Sequence, residues 1–150
     1  MTKDVLVKVS GAHVLDGETE DVEVITAGSY YSKNGRHYIL YEEMLDGETE
    51  PVRNTIRAAK DQAVVIKSGA ARARMEFRPG RPDVSCYVTP YGQMMIGIIT
   101  DCVQVQEEQD VLRIRIDYTL EINYERATRC RISIEVSSRS SARLDLQSDL

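Results

Sequence analysis

The segment 111–124, VLRIRIDYTLEINY, has the most regular side-chain pattern in the chain. Every even position from Leu112 to Tyr124 is aliphatic or aromatic, and every odd position from Arg113 to Asn123 is polar. Side chains alternate between two faces along a β-strand, whereas a helix would scatter these residues around its axis. The segment therefore predicts a long strand with one face in a core and the other in water, which is typical of an antiparallel sheet.

Nine further runs have a strand-like character, and short turn signals separate them. Asn34-Gly35 is the strongest signal, because both residue types tolerate the positive φ angles of a two-residue hairpin. The other signals are Asp16-Gly17, Asp46-Gly47, Ser68-Gly69, Pro79-Gly80 and Pro90-Tyr91-Gly92. The expected strands cover about 4–13, 21–32, 36–45, 51–59, 62–68, 71–78, 83–89, 93–106, 111–124 and 128–137.

A strand meander of this length must close or fold over to protect its edges. The sequence therefore predicts one all-β domain at residues 1–137, built as an antiparallel barrel of about eight to ten strands. The Ser-rich segment 138–150 loses the alternation, and we predict a mobile C-terminal tail there.

The composition narrows the function classes. The chain has 150 residues and a formal net charge of −5, which argues against a general attraction to nucleic acids or anionic membranes. No apolar run reaches the roughly 18 residues that read as a transmembrane helix. The N-terminal residues enter a strand pattern without a signal-peptide core. We therefore expect a cytoplasmic protein without a membrane partner.

Cysteine and histidine usage indicates neither a metal site nor a disulfide framework. Cys86, Cys102 and Cys130 are widely spaced and form no Cys-x-x-Cys pair. The 2 histidines are too few for a three-histidine zinc site within one chain. Each cysteine lies in a strand-like run, where a small buried thiol is expected. We predict no metal and no cofactor.

Three segments carry a family resemblance: AGSYYSKNGRHYILYEE at 27–43, IKSGAARARMEFRPG at 66–80 and YVTPYGQMMIGIIT at 87–100. They contain a glycine before a tyrosine pair, a Tyr-Glu-Glu strand end, a Ser-Gly turn and a Pro-aromatic-Gly-Gln turn. The residues are Gly28, Tyr30, Tyr31, Tyr41, Glu42, Glu43, Ser68, Gly69, Gly80, Pro90, Gly92 and Gln93, with Tyr91 at the aromatic position. The pattern resembles the YwiB-like family of uncharacterised bacterial proteins.

The resemblance covers the chain to about residue 137 and implies a calycin-like barrel, related in shape to lipocalins. Barrels of that size often hold one small ligand. The resemblance carries no catalytic residues, and a ligand inferred from fold alone is an analogy.

Basic residues are concentrated in one part of the chain. Residues 52–81 contain eight basic and two acidic side chains in an otherwise acidic sequence. Arg72, Arg74 and Arg78 share one face of a predicted strand, and we expect the neighbouring strands to extend this face. Arginine presents a planar fork that suits phosphate or carboxylate, so an anion site is predicted. The predicted basic ligand-binding residues are Arg53, Arg57, Lys67, Arg72, Arg74 and Arg78. The alternative is a solvated barrel face paired with acidic flanking strands.

Tyrosine supplies most of the aromatic side chains, with 8 tyrosines and 1 phenylalanine. A buried tyrosine hydroxyl needs a hydrogen-bond partner, so this choice favours a barrel interior or rim that is partly polar. Tyr41, Tyr87 and Tyr91 are therefore added to the predicted ligand-binding residues. The alternative is that tyrosine simply suits half-buried strand positions.

The sequence offers few parts for catalysis. His13 and His37 lie in strand-like runs without a neighbouring nucleophile, and no hydrolase, metalloprotease, phosphate-loop or dinucleotide motif is present. We predict no catalytic residues and expect that the protein is not an enzyme. The first hypothesis is non-catalytic binding of a small anionic molecule. The alternative is a protein-interaction module that uses the basic face of residues 53–81 or an exposed edge strand, through which oligomers could also form.

The position of the arginines separates these hypotheses. Guanidinium groups directed into a lumen favour a small ligand, whereas an external patch favours a macromolecule. Nucleic acid is not an expected partner, because base stacking needs aromatic rings among the arginines. The one ring within the basic segment, Phe77, lies on the opposite face of its strand.

Overall fold

The computed structural model describes residues 4–15 and 18–139, and it shows ten antiparallel strands in one sheet. The strands are β1 (Asp4–Leu15), β2 (Glu18–Lys33), β3 (Arg36–Glu43), β4 (Val52–Ala59), β5 (Gln62–Gly69), β6 (Ala73–Phe77), β7 (Asp83–Thr89), β8 (Gly92–Glu108), β9 (Val111–Ile122) and β10 (Glu125–Ser138). Consecutive strands are neighbours except at β6 and β7, and β1 pairs with β10. The predicted all-β antiparallel barrel is confirmed, and each predicted run corresponds to one strand.

The barrel is nearly closed where the two outermost strands of the sheet, β6 and β7, meet. Arg72 donates its backbone N–H to the carbonyl of Val88 at 2.9 Å, and Val88 donates to the carbonyl of Arg72 at 2.8 Å. Further along, Glu76 donates its backbone N–H to the Asp83 carboxylate at 3.1 Å, where a neighbouring strand would otherwise supply a carbonyl acceptor. One bridge and one side chain therefore satisfy edges that would otherwise be open for pairing.

The inward side chains fill the barrel with a hydrophobic core. In β9, Leu112, Ile114 and Ile116 are at most 1% exposed, as their even positions predict. The core prediction is wrong at the end of this segment, since Ile122 is 40% and Tyr124 is 75% exposed. The strand ends there in a turn, so these two side chains lie beyond the barrel interior.

The turns follow local backbone chemistry. Asn34 and Gly35 have φ angles of 53° and 76°, which confirms the predicted hairpin. The sequence analysis missed the turns at Asp61, Asp110 and Asn123-Tyr124, where residues other than glycine adopt positive φ. Aspartate and asparagine tolerate this conformation, but without glycine the signal is weaker. The predicted turn at Asp16-Gly17 and tail residues 140–150 lie outside the described residues.

Three connections meet at one end of the barrel, which we call the loop end: 44–51, 70–72 and 90–91. The turns at 34–35, 60–61 and 109–110 form the opposite end. No helix within residues 4–15 and 18–139 is long and apolar enough to cross a membrane.

The cysteines are unpaired, but their burial differs from the expectation. Cys86 is exposed, whereas Cys102 and Cys130 are partly buried. The prediction is wrong for Cys86 because the even positions of β7 face outward. Cys102 follows a bulge in β8 and lies 3.4 Å from the Asp117 carboxylate, so its surroundings are polar.

Candidate functional site

The predicted site residues divide into two groups on opposite sides of the barrel wall. The arginines alternate with buried residues and face outward: Arg53, Arg57, Arg72, Arg74 and Arg78. Tyr41, Lys67 and Tyr87 occupy inward positions, and Tyr91 lies in an exposed turn. The structure therefore does not bring the nine residues together in one site.

Residues 28–43 of the β2–β3 hairpin, together with β4, β5 and β6, carry a surface that we call the basic outer face. Its charged residues are Lys33, Arg36, Arg53, Arg57, Arg72, Arg74 and Arg78, with Glu42 and Glu76 as the two acids. These positions alternate with inward side chains in each strand. The predicted basic face is therefore present for the arginines, and it extends one hairpin further toward the N-terminus than the sequence indicated.

A groove crosses this face, with a volume of about 250 Å³. Its lining includes Val64, Glu76 and four arginines, Arg36, Arg57, Arg74 and Arg78. We call it the arginine groove. The twist of the strands makes the surface concave here, so arginines on β3, β4 and β6, with Arg78 directly after β6, line one volume.

The arginines of the groove differ in how they are held. The Arg74 guanidinium contacts the Glu76 carboxylate at 3.1 Å. Arg78 donates two hydrogen bonds to the Gln62 side-chain oxygen, at 3.1 and 2.9 Å. Within residues 4–15 and 18–139, Arg36 and Arg57 have no ion-pair partner. Positive charge is thus available in the groove while two of its arginines are fixed in place.

Two tyrosines stand beside the groove on the same face. The rings of Tyr31 and Tyr38 stack with centroids 4.6 Å apart and an interplanar angle of 7°. Tyr38 is the direct cross-strand partner of Arg57. Phe77 is the one ring within the basic segment 52–81, but pairing of β3 with β4 brings Tyr38, from outside that segment, to Arg57. We call Tyr31 and Tyr38 the tyrosine stack.

Lys67 belongs to a polar cluster inside the loop end. Its ammonium group is 3.1 Å from the Glu43 carboxylate and 2.6 Å from the Asn54 side-chain oxygen. Asn54, which is 1% exposed, donates to the same Glu43 oxygen at 3.1 Å. The expectation that Lys67 joins the arginines is wrong, because it shares the inward parity of Ala63 and Val65 in β5. Its charge is already neutralised there.

Tyr41 and Tyr87 lie next to this cluster. Burial, and then the negative charge of Glu43, raises the pKa of Tyr41 to about 12. Burial and Glu43 also raise the pKa of Tyr87. Both phenols therefore remain protonated at neutral pH and do not act as bases. Tyr91 is 84% exposed, and its hydroxyl reaches the carbonyl of Asp46 at 3.5 Å, so it lies outside the cluster.

A wider cleft of about 550 Å³ opens at the opposite end of the barrel, between the β2–β3 hairpin and β8. The Tyr30 hydroxyl lies 2.7 Å from Nδ1 of His37, and Nε2 of His37 lies 3.9 Å from the Glu107 carboxylate. Burial, and then the charge of Glu107, raises the pKa of Tyr30. A phenol that stays protonated orients the imidazole ring through this hydrogen bond and does not serve as a base.

The sequence analysis missed Arg36, the tyrosine stack, Glu43 and Asn54. The turn at Asn34-Gly35 could have predicted the positions of Arg36 and the tyrosine stack. A two-residue hairpin fixes the register, so it pairs Lys33 with Arg36 and Tyr31 with Tyr38. The inward positions of Glu43 and Asn54 follow the alternation of their own strands, but their contact with Lys67 depends on the pairing of separate strands.

These features define a class, a small all-β protein with a ten-stranded antiparallel barrel and a basic outer face. The chain matches the family described as "Domain of unknown function (DUF1934)" over residues 7–134, and it belongs to that family. It is 26% identical over 110 residues to "Uncharacterized beta-barrel protein YwiB" of Bacillus subtilis (strain 168), which covers 73% of this chain and 76% of the relative.

The crystal structure of the ywiB protein from Bacillus subtilis superposes with a TM-score of 0.74 at 23% sequence identity. The superposition covers 89% of this chain and 91% of that chain. Together these comparisons confirm the family resemblance and the barrel fold that the sequence predicted.

Proposed function

We propose that this protein is a non-catalytic binding protein that holds an anionic ligand in the arginine groove. The observation that carries the proposal is the approach of Arg36, Arg57, Arg74 and Arg78 to one concave volume. Two of these guanidinium groups have no ion-pair partner within the described residues. Phosphate and carboxylate match the planar donor fork of arginine, so either group is a suitable ligand.

The concave shape matters because isolated surface charges attract anions weakly. Salt screens exposed charges beyond about 10 Å at 0.1 M ionic strength. Several arginines that converge within one groove act on a bound anion at shorter range than this. The hydrogen bonds from Arg78 to Gln62 also reduce the side-chain entropy that binding must remove.

The proposal differs from a lipocalin-like ligand site inside the barrel. Aliphatic side chains from most strands pack in the interior, and the polar cluster at the loop end pairs Lys67 with Glu43. The external groove instead presents its arginines to solvent. Because arginines outside a lumen favour a macromolecule, this position supports a ligand whose phosphate or carboxylate groups belong to a larger molecule. We also propose a cytoplasmic location, in which a reducing environment keeps the three thiols unpaired.

The experiment is a thermal unfolding series at low salt with phosphate, pyrophosphate and citrate. A ligand that binds only the folded state stabilises by RT ln(1 + [L]/Kd), about 2.7 kcal/mol at a hundredfold excess over Kd. We expect the variants Arg57→Ala and Arg74→Ala to lose most of this gain.

Arg129→Ala is the matched control, because Arg129 is 83% exposed on β10 and only 3.9 Å from Asp101 in a loose ion pair. It should keep the full ligand-induced shift. If no anion stabilises the wild-type protein, or if all three variants respond equally, the groove is a solvated barrel face and the proposal is wrong.

A second candidate function, protein interaction through an edge strand, is favoured by the first half of β2. β2 pairs with β1 from Glu18 onward, but with β3 only from Gly28 to Lys33. Val22 and Ile25 on the open half are 59% and 56% exposed. A strand that exposes apolar side chains beside an open edge is a template for pairing with another strand.

The occupant we propose for this edge is a second copy of the chain. Sedimentation over a range of concentrations should show a dimer for the wild type and a monomer for Ile25→Lys. Val84→Lys is the control, because Val84 is also 56% exposed but lies on β7, which pairs with β8 and is not part of the β2 edge. This variant should remain dimeric. A wild-type protein that is monomeric at every concentration removes this candidate.

A further inference from the structure

We propose that the partner bound at the basic outer face is single-stranded nucleic acid, with the phosphates in the arginine groove and a base on the tyrosine stack. This inference rests on the proposed function, since it names the class of anion that the groove takes. It adds a second contact, aromatic stacking, which a simple phosphate or carboxylate does not use.

The geometry of the tyrosine stack is the first support. Its rings are nearly parallel, with centroids 4.6 Å apart, in contrast to the edge-to-face contact of Phe77 with Tyr118 in the core. Tyr31 is 48% exposed, so part of its ring surface is open to solvent. An exposed flat ring on a basic surface is a site where a nucleic-acid base can stack, and this contact tolerates any base.

The position of the stack relative to the arginines is the second support. Cross-strand pairing places Tyr31, Tyr38, Arg57, Val64 and Glu76 in one row over five neighbouring strands. With neighbouring strands about 4.8 Å apart, the row is about 19 Å long. A strand laid along it would have a base at one end and phosphates over the groove at the other.

The distribution of charge is the third support. The protein has a net charge of −5, yet the basic outer face has seven basic and two acidic side chains. A charged surface of one sign steers an oppositely charged polymer to that side of the molecule. The combination of a positive groove with aromatic rings is typical of proteins that bind single strands without strong sequence preference.

The construction of the face favours a single strand over a duplex. Direct reading of double-stranded DNA requires a helix or a β-ribbon that enters the major groove. The basic outer face is the broad side of a five-stranded region. Stacking on Tyr31 also requires an unstacked base, which a single strand supplies at little cost.

The test is fluorescence anisotropy at low salt with a labelled oligothymidylate of about twelve nucleotides. The matched probe is an abasic strand with the same number of phosphates, and a labelled polyglutamate peptide represents an acidic protein segment. We expect the oligothymidylate to bind roughly tenfold more tightly than the abasic strand, which corresponds to one stacked base. Four phosphate contacts predict a slope of log K against log salt of about −3.

Two variants, each with a matched control, separate base stacking from phosphate binding. Tyr31→Leu should abolish the difference between the oligothymidylate and the abasic strand, while Tyr91→Leu, at the exposed turn of the loop end, should preserve it. Arg57→Ala should weaken both strands and reduce the salt slope, whereas Arg129→Ala should change neither. Unchanged melting temperatures of the variants establish that folding is intact.

The outcomes separate the inference from the proposed function. If the abasic strand binds as tightly as the oligothymidylate, or if polyglutamate binds more tightly than both, nucleic acid is not the partner and the groove remains an anion site. If phosphate and pyrophosphate stabilise the protein but no strand binds, the inference alone is overturned. If neither anions nor strands bind, both are overturned.

Discussion

Arg72, directly before β6, and Val88 of β7 exchange both backbone hydrogen bonds, at 2.9 and 2.8 Å, and among the described residues this is the one backbone pair across the closure of the barrel. The other nine strand boundaries of the barrel are ladders of several residue pairs. Closure therefore depends on backbone groups at one point, although the Arg72 side chain lies on the basic outer face. The closure and the charged surface can be tested separately, because a side-chain change at Arg72 leaves the bridge in place.

We expect Val88→Pro to destabilise the protein by about 1 to 3 kcal/mol more than Cys86→Pro. Both changes place a proline at an outward position of β7, but only Val88 donates an N–H to β6 among the described residues. The measurement is the midpoint of urea unfolding. Equal midpoints for the two variants would show that the bridge does not hold the barrel closed.

The register of β9 predicts a strong difference between adjacent residues. Ile116 is 0% exposed, so Ile116→Ala should cost about 2 to 5 kcal/mol through lost burial and a cavity. Arg115 faces water and contacts Asp117 at 3.0 Å, so Arg115→Ala should cost about 1 kcal/mol or less. Chemical denaturation measures both values. A larger loss for Arg115→Ala would contradict the register.

Gly28 and Gly11 form a matched pair for testing close packing. A Cβ at Gly28 would lie 2.6 Å from the Leu40 carbonyl oxygen and 2.8 Å from Val7 Cγ2, while a Cβ at Gly11 meets nothing within 4 Å. Gly28→Ala should therefore cost about 1 to 3 kcal/mol through displacement of the β3 backbone. Gly11→Ala should be close to neutral. If thermal melting shows similar stability for both, the β2–β3 contact is looser than this structure indicates.

The interior ion pair predicts non-additive mutations. Lys67→Met removes the cation 3.1 Å from Glu43 and should cost about 1 to 3 kcal/mol, because the carboxylate is left without its partner. Lys67→Met combined with Glu43→Gln should recover most of this loss, which gives a coupling energy of about 1 to 3 kcal/mol. A double-mutant cycle from urea unfolding measures the coupling. Additive effects would show that the two groups act independently.

Alkaline pH should destabilise the protein through Tyr41. Its pKa is about 12 in the folded state against the ordinary tyrosine value of 10.0, so between these values the unfolded chain has lost the proton and the folded chain keeps it. Stability is therefore fully present below pH 10 and falls by about 1.4 kcal/mol per pH unit as the pH rises toward 12. Tyr41→Phe should show a correspondingly shallower decline in urea unfolding at pH 9 to 11. Parallel declines would remove Tyr41 as the cause.

The candidate site was only partly predictable. The arginines of β4 and β6 were expected on one face, since alternation within a strand is a local property of the sequence. Lys67 was assigned to the basic face because the turn at Ser68-Gly69 brings its strand beside the arginines, whereas its parity with Val65 placed its side chain inside. Burial of this lysine is tolerable only because Glu43 and Asn54 arrive from two other strands.

The amino-acid sequence by itself determined the class, the number of strands, most turns and the inward face of β9, because these depend on side-chain alternation and on residues that tolerate turn conformations. Only the tertiary structure decided that β6 returns to β7, that Tyr38 stands beside Arg57, and that Lys67 meets Glu43 within the loop end. These relationships join separate strands, and their distances are set by pairing register and by the closure of the barrel, which no local pattern encodes.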